Sequence, residues 1–269
     1  MTDIFKSSRE RCLRYRRKIL DISQNVSALH LGGAFSALEM VDFIYYELLA
    51  NKFQGSKFVM SKGHGCMSQY VVLNSLGIIK DKDLDEYCTE NGILGCHPDF
   101  GNPGIFASTG SLGHGMGLCT GIAHAYKIKK NDKKIITVLS DGELQEGSSW
   151  ESLMMASNLR LDNLIIFIDH NGSQSFGHTK DTHPSFYPIV EKLKSFVCDV
   201  EIVNGHNIEE LHHVFTKFDM KNHRPKIIFA NTVKGKGVDF IENKPIWHYR
   251  SPSKEEYSIA IKNLKEVEN

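Results

Sequence analysis

Two short apolar runs, each ending in a ligand-type side chain, do most to constrain what this chain can fold into. Residues 135–139 run into Ser140-Asp141-Gly142, and residues 164–168 run into Asp169-His170-Asn171-Gly172. Continuous, β-branched runs of this length read as strands buried on both faces. Residues 148–161, between them, read as a helix. Strand, turn, helix, strand is the unit of a parallel sheet, and such sheets bind ligands at the carboxyl ends of their strands. Asp141 and Asn171 stand at those ends. One carboxylate, one amide oxygen and nearby backbone carbonyls suit a hard cation such as Mg2+, which keeps further valences for phosphate oxygens. Gly142 allows a tight turn that brings its N–H close to a phosphate oxygen. Each pair alone would be an ordinary Asp-Gly or Asn-Gly turn. Together, with a helix between them, they favour the ligand reading.

The rest of the chain repeats the alternation. Residues 57–60, 198–203 and 226–231 read as further strands, and 209–218 as the helix between the last two. Upstream, 9–24 and 36–51 read as helices, the second capped by Ser36. Residues 67–76 read as a helix ended by Gly77, and 81–90 as a helix with an acidic start. Residues 93–111 are rich in Gly and Pro and read as loop. Residues 114–130 carry Gly115, Gly117 and Gly121 in an apolar helix that should be buried or at an interface. Residues 173–185 read as a long surface or active-site loop. The expected fold is α/β, a doubly wound, mainly parallel sheet with helices on both faces.

A chain of 269 residues fits one large α/β domain or two small ones, and 41% hydrophobic residues can build a core. Lys+Arg and Asp+Glu both number 32, which argues against nucleic acid or an anionic membrane as the main partner. Basic clusters at 9–18 and 127–134 read as a solvated helix face and a helix end. Cys12, Cys66, Cys88, Cys96, Cys119 and Cys198 show no CxxC spacing, so they suggest neither a zinc site nor a redox pair. They read as reduced thiols in a cytoplasmic protein. Residues 1–27 are polar and charged, unlike a signal peptide, and no apolar run nears the ~20 residues of a spanning helix.

Four motifs carry a resemblance to a known family. Asp141-Gly142…Asn171 resembles the Gly-Asp-Gly…Asn signature of thiamine-diphosphate enzymes, with Ser140 in place of the first glycine. The run Asp141-Gly142-Glu143-Leu144-Gln145-Glu146-Gly147, then Trp150-Glu151, is similar to the diphosphate-binding core of transketolases. Ser61-Lys62-Gly63-His64-Gly65, Gly95-Cys96-His97-Pro98 and Thr109-Gly110-Ser111-Leu112-Gly113-His114-Gly115 are similar to three further transketolase motifs, in the family's order. The likeness runs from about Ser27 to about Pro252. It implies one thiamine-diphosphate-binding domain over residues 1–269 and the N-terminal subunit of a split transketolase. The pyrimidine-binding and C-terminal domains, with the thiazolium-activating glutamate, would lie on a partner chain in an α2β2 assembly. The implied reaction moves a two-carbon ketol group from a ketose or ketose phosphate to an aldose. Alternatives are a deoxyxylulose-phosphate-synthase-like enzyme, a 2-oxo-acid-dehydrogenase-like subunit, or a non-catalytic binding or regulatory module that kept the fold.

The same resemblance implies roles for single residues. Asp141, Asn171 and the backbone carbonyl of Ser173 would hold Mg2+, or another divalent cation such as Ca2+. Gly142, His64 and His248 would stand at the diphosphate. The Gly110 carbonyl would meet the pyrimidine amine and Leu112 would pack on the cofactor. Ser111 would stand with them in the cofactor site, although it, like His114, departs from the family pattern. His30 and His97 would bind sugar hydroxyls and move protons. Glu146 and Glu151 would join a chain of glutamates linking two active sites, with Glu146 against the partner's catalytic glutamate. The plainer readings are a structural histidine in each glycine-rich loop, and acidic residues complementing a helix dipole. Lys234 and Lys236 follow a strand, where they could approach phosphate or remain solvated. Gly113, Gly115 and Gly117 lack the spacing of a dinucleotide-binding loop, so NAD is not expected.

Overall fold

In the computed structural model, which describes residues 2–266, the strands are β1 (Lys57–Met60), β2 (Ile135–Ser140), β3 (Leu164–His170), β4 (Ser173–Gln174), β5 (Gly177–His178), β6 (Asp199–Asn204) and β7 (Lys226–Asn231). Five of them form one sheet in the order β1-β2-β3-β7-β6, and every pairing in it is parallel. β4 and β5 make a separate antiparallel hairpin. The helices are α1 (Thr2–Ser23), α2 (Leu31–Phe43), α3 (Cys66–Ser75), α4 (Asp81–Asp85), α5 (Gly115–Ile128), α6 (Gly147–Asn158), α7 (Thr179–Thr182), α8 (Ile189–Ser195), α9 (Ile208–Val214) and α10 (Lys254–Glu266). Among the described residues no helix is long and apolar enough to cross a membrane.

The consecutive apolar residues of the strands serve two cores. Ile165 and Phe167 join Ile136, Val138 and Ile228 in one cluster, with side chains of α1, α2, α3 and α9. Leu164, Ile166 and Ile168 join Ile135, Leu139 and Phe229 in the other, with α5, α6 and α8. Side chains of a strand alternate faces, so a run apolar at every position can satisfy only a sheet covered on both sides. β6 is the exception. It is an edge strand, and Ile202 on it is half exposed.

Four expectations are corrected. The helix expected over 36–51 starts earlier, at Leu31, and continues beyond Phe43 as a wider π-helical stretch, Ile44–Lys52. Gly32-Gly33 looks like a helix breaker in the sequence, but here the bare backbone is what permits close packing. A Cβ on Gly33 would sit 3.1 Å from His64 Cδ2. Ser36 is therefore not a cap. Its hydroxyl, inside α2, donates to Asp169 Oδ2 at 2.6 Å.

The helix expected over 81–90 stops at Asp85, because Cys88 takes the left-handed conformation (φ +54°) and turns its N–H to Leu94 O, 2.9 Å away. The loop at 173–185 is folded into the β4–β5 hairpin, α7 and a 3-10 turn. Nor is the basic cluster of α1 wholly solvated. Arg16 is 3% exposed and pairs with Glu39 at 2.7 Å, while Arg11 makes two 2.7 Å bonds to Asp42. Buried charges persist only when paired in this way.

Parallel pairing has one consequence for function. The carboxyl ends of β1, β2, β3 and β7 all reach the same edge. Residues 61–65, 141–146, 171–174 and 232–237 must therefore meet there.

Candidate active site

A cavity of about 350 Å3 opens at that edge. Its walls include His30, His64, His97 and His248, together with Gly110, Leu112, Gly142, Glu146 and Ser173. Two roomier hollows lie at the opposite edge, one lined by lysines of 52–56 and 129–133, the other by residues such as Arg160, His223 and Arg224. Both sit at the amino ends of strands and are open surface grooves. Of the three, the strand-end cavity is the one that gathers most of the predicted residues.

Beneath it lie Asp141 and Asn171, the side chains expected to hold a cation. Asp141 is fully buried, and its Oδ2 accepts the Gly172 N–H at 2.9 Å and the Thr179 hydroxyl at 3.3 Å. Its Oδ1 is buried without a hydrogen-bond partner. Burial pushes this carboxyl up to about 6. Asn171 donates from Nδ2 to Asp169 Oδ2 at 3.2 Å, and its Oδ1 accepts the Ser173 N–H at 3.1 Å. A partnerless carboxylate oxygen beside a loop carrying an oriented amide oxygen fits a hard cation, because each such oxygen is costly to bury unpaired. Among the described residues no group of three or more His, Cys, Asp or Glu side chains is arranged to hold a metal. The set implied here contains only one such side chain, Asp141.

The histidines form a tight cluster. The His30 ring lies 5.5 Å from His64, 5.8 Å from His97 and 5.4 Å from His248, centroid to centroid. Burial, helped by the neighbouring imidazoles and by Lys234 and Lys62, pulls His30 down to about 3. Burial and Lys234 bring His248 down to about 4, and burial and Lys62 push His64 well below the usual range. These three rings are therefore neutral near pH 7, and each can donate through one nitrogen and accept through the other. Lys234 Nζ lies 2.8 Å from His248 Nδ1. A lysine can only donate, so Nδ1 accepts and the His248 proton sits on Nε2. Burial and Lys62 lower Lys234 to about 8, which leaves it mainly charged at neutral pH. His30 Nδ1 is buried without a partner. Neutral imidazoles over a cationic base suit a ligand with hydroxyls at one end and an anion at the other.

Not every predicted residue reaches the cavity. Glu146 lines it, but Glu151 lies on the exposed face of α6 outside it. Ser111 is likewise exposed and outside the lining. Gly110 has φ +153°, and a Cβ there would meet His97 Cγ at 2.9 Å, so only glycine fits against that ring. His114 immediately precedes α5, with Nδ1 3.1 Å from the Leu112 carbonyl.

Sequence reasoning missed the supports of the site. Lys62 and Asp169 are both fully buried and form an ion pair directly behind the histidines. Lys62 also donates to Gly33 O at 3.0 Å, and Asp169 also accepts from Thr232. The signal for Asp169 was present: an ionisable residue closing an all-apolar strand. Glu143 is buried and accepts from Ser61 Oγ at 2.5 Å and the Gly113 N–H at 3.1 Å, fixing the glycine loop. The Lys234 loop is held from behind by His206, whose Nε2 accepts the Val233 N–H at 2.9 Å while Nδ1 meets Glu39 at 2.9 Å.

Residues 8–264 match the family model described as transketolase, thiamine diphosphate binding domain. A subunit of the apulose-4-phosphate transketolase from Phocaeicola vulgatus is 33% identical over 93% of this chain and 91% of its own length. A 6-deoxy-6-sulfo-D-fructose transketolase subunit from a Clostridium species is 32% identical over 88% of each chain. Among solved structures, the transketolase of Leishmania mexicana superposes with a TM-score of 0.87 at 24% identity, over 96% of this chain and 41% of that one. The chain thus spans about two fifths of that solved transketolase's length.

Proposed function

The chain belongs to the transketolase family through its thiamine-diphosphate-binding domain, and from that premise we propose that it is the N-terminal, diphosphate-binding subunit of a transketolase built from two kinds of chain. It works as a transferase, moving a two-carbon ketol group from a ketose or ketose phosphate to an aldose. The relatives named above are transketolases, which favours this reading over a deoxyxylulose-phosphate-synthase-like or 2-oxo-acid-dehydrogenase-like subunit and over a silent binding module. The observation that carries it is the meeting, at one sheet edge, of a partnerless buried carboxylate oxygen with four imidazoles around one cavity.

Thiamine diphosphate, when bound, supplies the electron sink for breaking and making the carbon–carbon bond. This chain supplies the grip. Asp141, Asn171 and the Ser173 carbonyl hold Mg2+ or a similar divalent cation. The Gly142 N–H, His64 and His248 stand at the diphosphate, with Lys234 keeping the His248 proton on Nε2. Leu112 offers an apolar wall beside the Gly110 carbonyl. His30 and His97 take the sugar hydroxyls from two separate loops.

The partner covers α5 and α6. Leu118, Met154 and Met155 are each nearly half exposed there, next to the bare backbone of Gly117 and Gly121. Glu146 precedes α6 and lines the cavity, and Glu151 is exposed on that helix; a second chain carrying the pyrimidine-binding domain completes the site there in an α2β2 assembly. Relatives of similar length are themselves named as transketolase subunits, which supports a partner of another kind.

The test is reconstitution. The purified chain should give no ketol transfer alone, and turnover should appear when a chain of the transketolase carboxyl-half type is added. Steady turnover by this chain alone overturns the reading.

The histidines should separate in the reconstituted enzyme. A hydroxyl contact to a neutral polar side chain is worth ~1 kcal/mol, and lost desolvated contacts add to it. His30→Ala or His97→Ala should lower kcat/KM for sugar about tenfold at saturating cofactor. His64→Ala should first raise the cofactor concentration needed. A His30 or His97 variant defective only in cofactor titration would mean that channel and diphosphate site have been interchanged.

A further inference from the structure

Arg16, Glu39 and His206 come from three distant parts of the sequence and meet as one chain of bonds behind the Lys234 loop. His206, in the turn after β6, accepts the Val233 N–H on Nε2 at 2.9 Å. An accepting Nε2 carries no proton, so the proton of the ring sits on Nδ1, 2.9 Å from Glu39 Oε2 in α2. The other Glu39 oxygen, Oε1, faces Arg16 Nη2 of α1 at 2.7 Å. Arg16 in turn donates from Nε to the Lys236 carbonyl at 2.8 Å. The chain of bonds thus starts at Val233 and ends at Lys236, on either side of Lys234. Arg16 and Glu39 are buried and His206 nearly so. Gly237 leaves the room this needs, since a Cβ there would come within 3.3 Å of Arg16 Cδ.

Stability alone does not account for such an arrangement. The desolvation cost of a buried ion pair can match its Coulombic gain, and apolar side chains of similar volume often serve as well. Burial by itself would raise the Glu39 carboxyl, yet Arg16 and His206 bring it down to about 2, so it stays ionised and accepts from both. What such bonds add over apolar packing is direction. Here they fall on the backbone on both sides of Lys234, whose side chain is buried and reaches His248 Nδ1 at 2.8 Å.

We propose that Arg16, Glu39 and His206 are positioning residues for the anion end of the site. By gripping the loop at Val233 and at Lys236 they fix where the Lys234 ammonium stands. Lys234 keeps the His248 proton on Nε2, the nitrogen left to donate to an anion. Slack in the grip lets the ammonium leave His248 Nδ1. A neutral imidazole then carries its proton on either nitrogen, and the donor at Nε2 is no longer constant. That His248 donates to a diphosphate rests on the proposed function, whereas the control of its tautomer does not.

Amide side chains separate the two bonds of His206. In His206→Gln the amide oxygen takes the place of Nε2 and still accepts the Val233 N–H. In His206→Asn the amide nitrogen takes the place of Nδ1 and serves Glu39, while Val233 loses its acceptor. Each variant drops one bond, so thermal unfolding should fall by a similar amount in both. Nitrogen-15 NMR of the ligand-free full chain, with His248→Gln to assign the resonances, reads the His248 tautomer. The unsubstituted chain and His206→Gln should show the well-separated nitrogen resonances of a single Nε2–H form. In His206→Asn the two resonances should converge, as a mixture of tautomers requires. Arg16→Lys keeps a cation for Glu39 but gives up the bond to Lys236 O, and should do the same; it replaces His206→Asn should that variant not fold. A folded His206→Asn or Arg16→Lys chain that keeps the single form overturns the proposal. Equal mixing in the Gln and Asn variants also overturns it, because the Val233 bond would then not be what counts.

Titration of the reconstituted enzyme with thiamine diphosphate and Mg2+ is the second readout. His206→Asn should weaken binding about tenfold and His206→Gln far less. Mixed tautomers with unchanged cofactor affinity would support the grip on Lys234 and overturn the placing of His248 at the diphosphate.

Discussion

Replacing Asp141 by Asn is expected to weaken cation-dependent binding of thiamine diphosphate about hundredfold or more while leaving the empty domain as stable as before. A hard ligand to a divalent cation is worth several kcal/mol, and ~2.7 kcal/mol already corresponds to a hundredfold change. The stability half of the prediction comes from burial. Asp141 has one oxygen with no partner, and desolvation pushes its carboxyl up to about 6, so the charge is a cost to the empty domain. Asn keeps the size and one oxygen, which can still accept from Gly172 N–H and Thr179. Calorimetric titration with thiamine diphosphate and Mg2+ gives the first number and thermal unfolding without ligand gives the second. A folded variant that binds cofactor with unchanged Mg2+ dependence removes Asp141 from the ligand set. A variant that loses stability instead makes Asp141 a structural post of the 172–179 loop.

The sheet and the meeting of Asp141 and Asn171 at one edge of it were legible because both follow from local rules. Apolar runs such as 164–168 can satisfy only a two-faced sheet, and the core splits as that rule requires. Ligand-type residues right after such runs must then share one edge, and Asp141, Asn171 and the 232–237 loop do. What was hidden depends on tertiary contact. Gly32-Gly33 signals a break until His64 and Lys234 are seen packed against it. Ser36 looks like a cap until Asp169, far away in sequence, accepts from its hydroxyl inside the helix. The turn at Cys88 uses a backbone conformation that no spacing rule assigns to cysteine. Arg16 sits in a run of basic residues like those of any wet helix face, and only the position of Glu39 on α2 shows that it is buried.

The buried pair behind the histidines should carry the largest stability effect in the molecule. Lys62 and Asp169 are both inaccessible, and between them they tie four segments: Gly33 and Ser36 in the first turns of α2, Lys62 after β1, Asn171 after β3 and Thr232 after β7. Removing one member of such a pair leaves the other charge buried and uncompensated, at a cost of about 3–5 kcal/mol. Asp169→Ala should therefore lower the free energy of unfolding by about that amount in urea titration. Replacing both charges, as in Lys62→Met with Asp169→Leu, removes the stranded charge and should recover at least half of the loss. If the pair served packing alone, that double variant would also recover cofactor binding. It should not, because Asp169 Oδ2 accepts from Asn171 Nδ2 and so fixes which end of that amide points away from the core. Without it the amide is free to turn its nitrogen toward the cation site. Thermal unfolding and cofactor titration of the same double variant should thus diverge, with stability regained and Mg2+-dependent binding still lost. Recovery of both together would show that the amide is oriented by its remaining bonds, to Ser36 Oγ and from Ser173 N–H, and that the ion pair does no more than hold these segments in place.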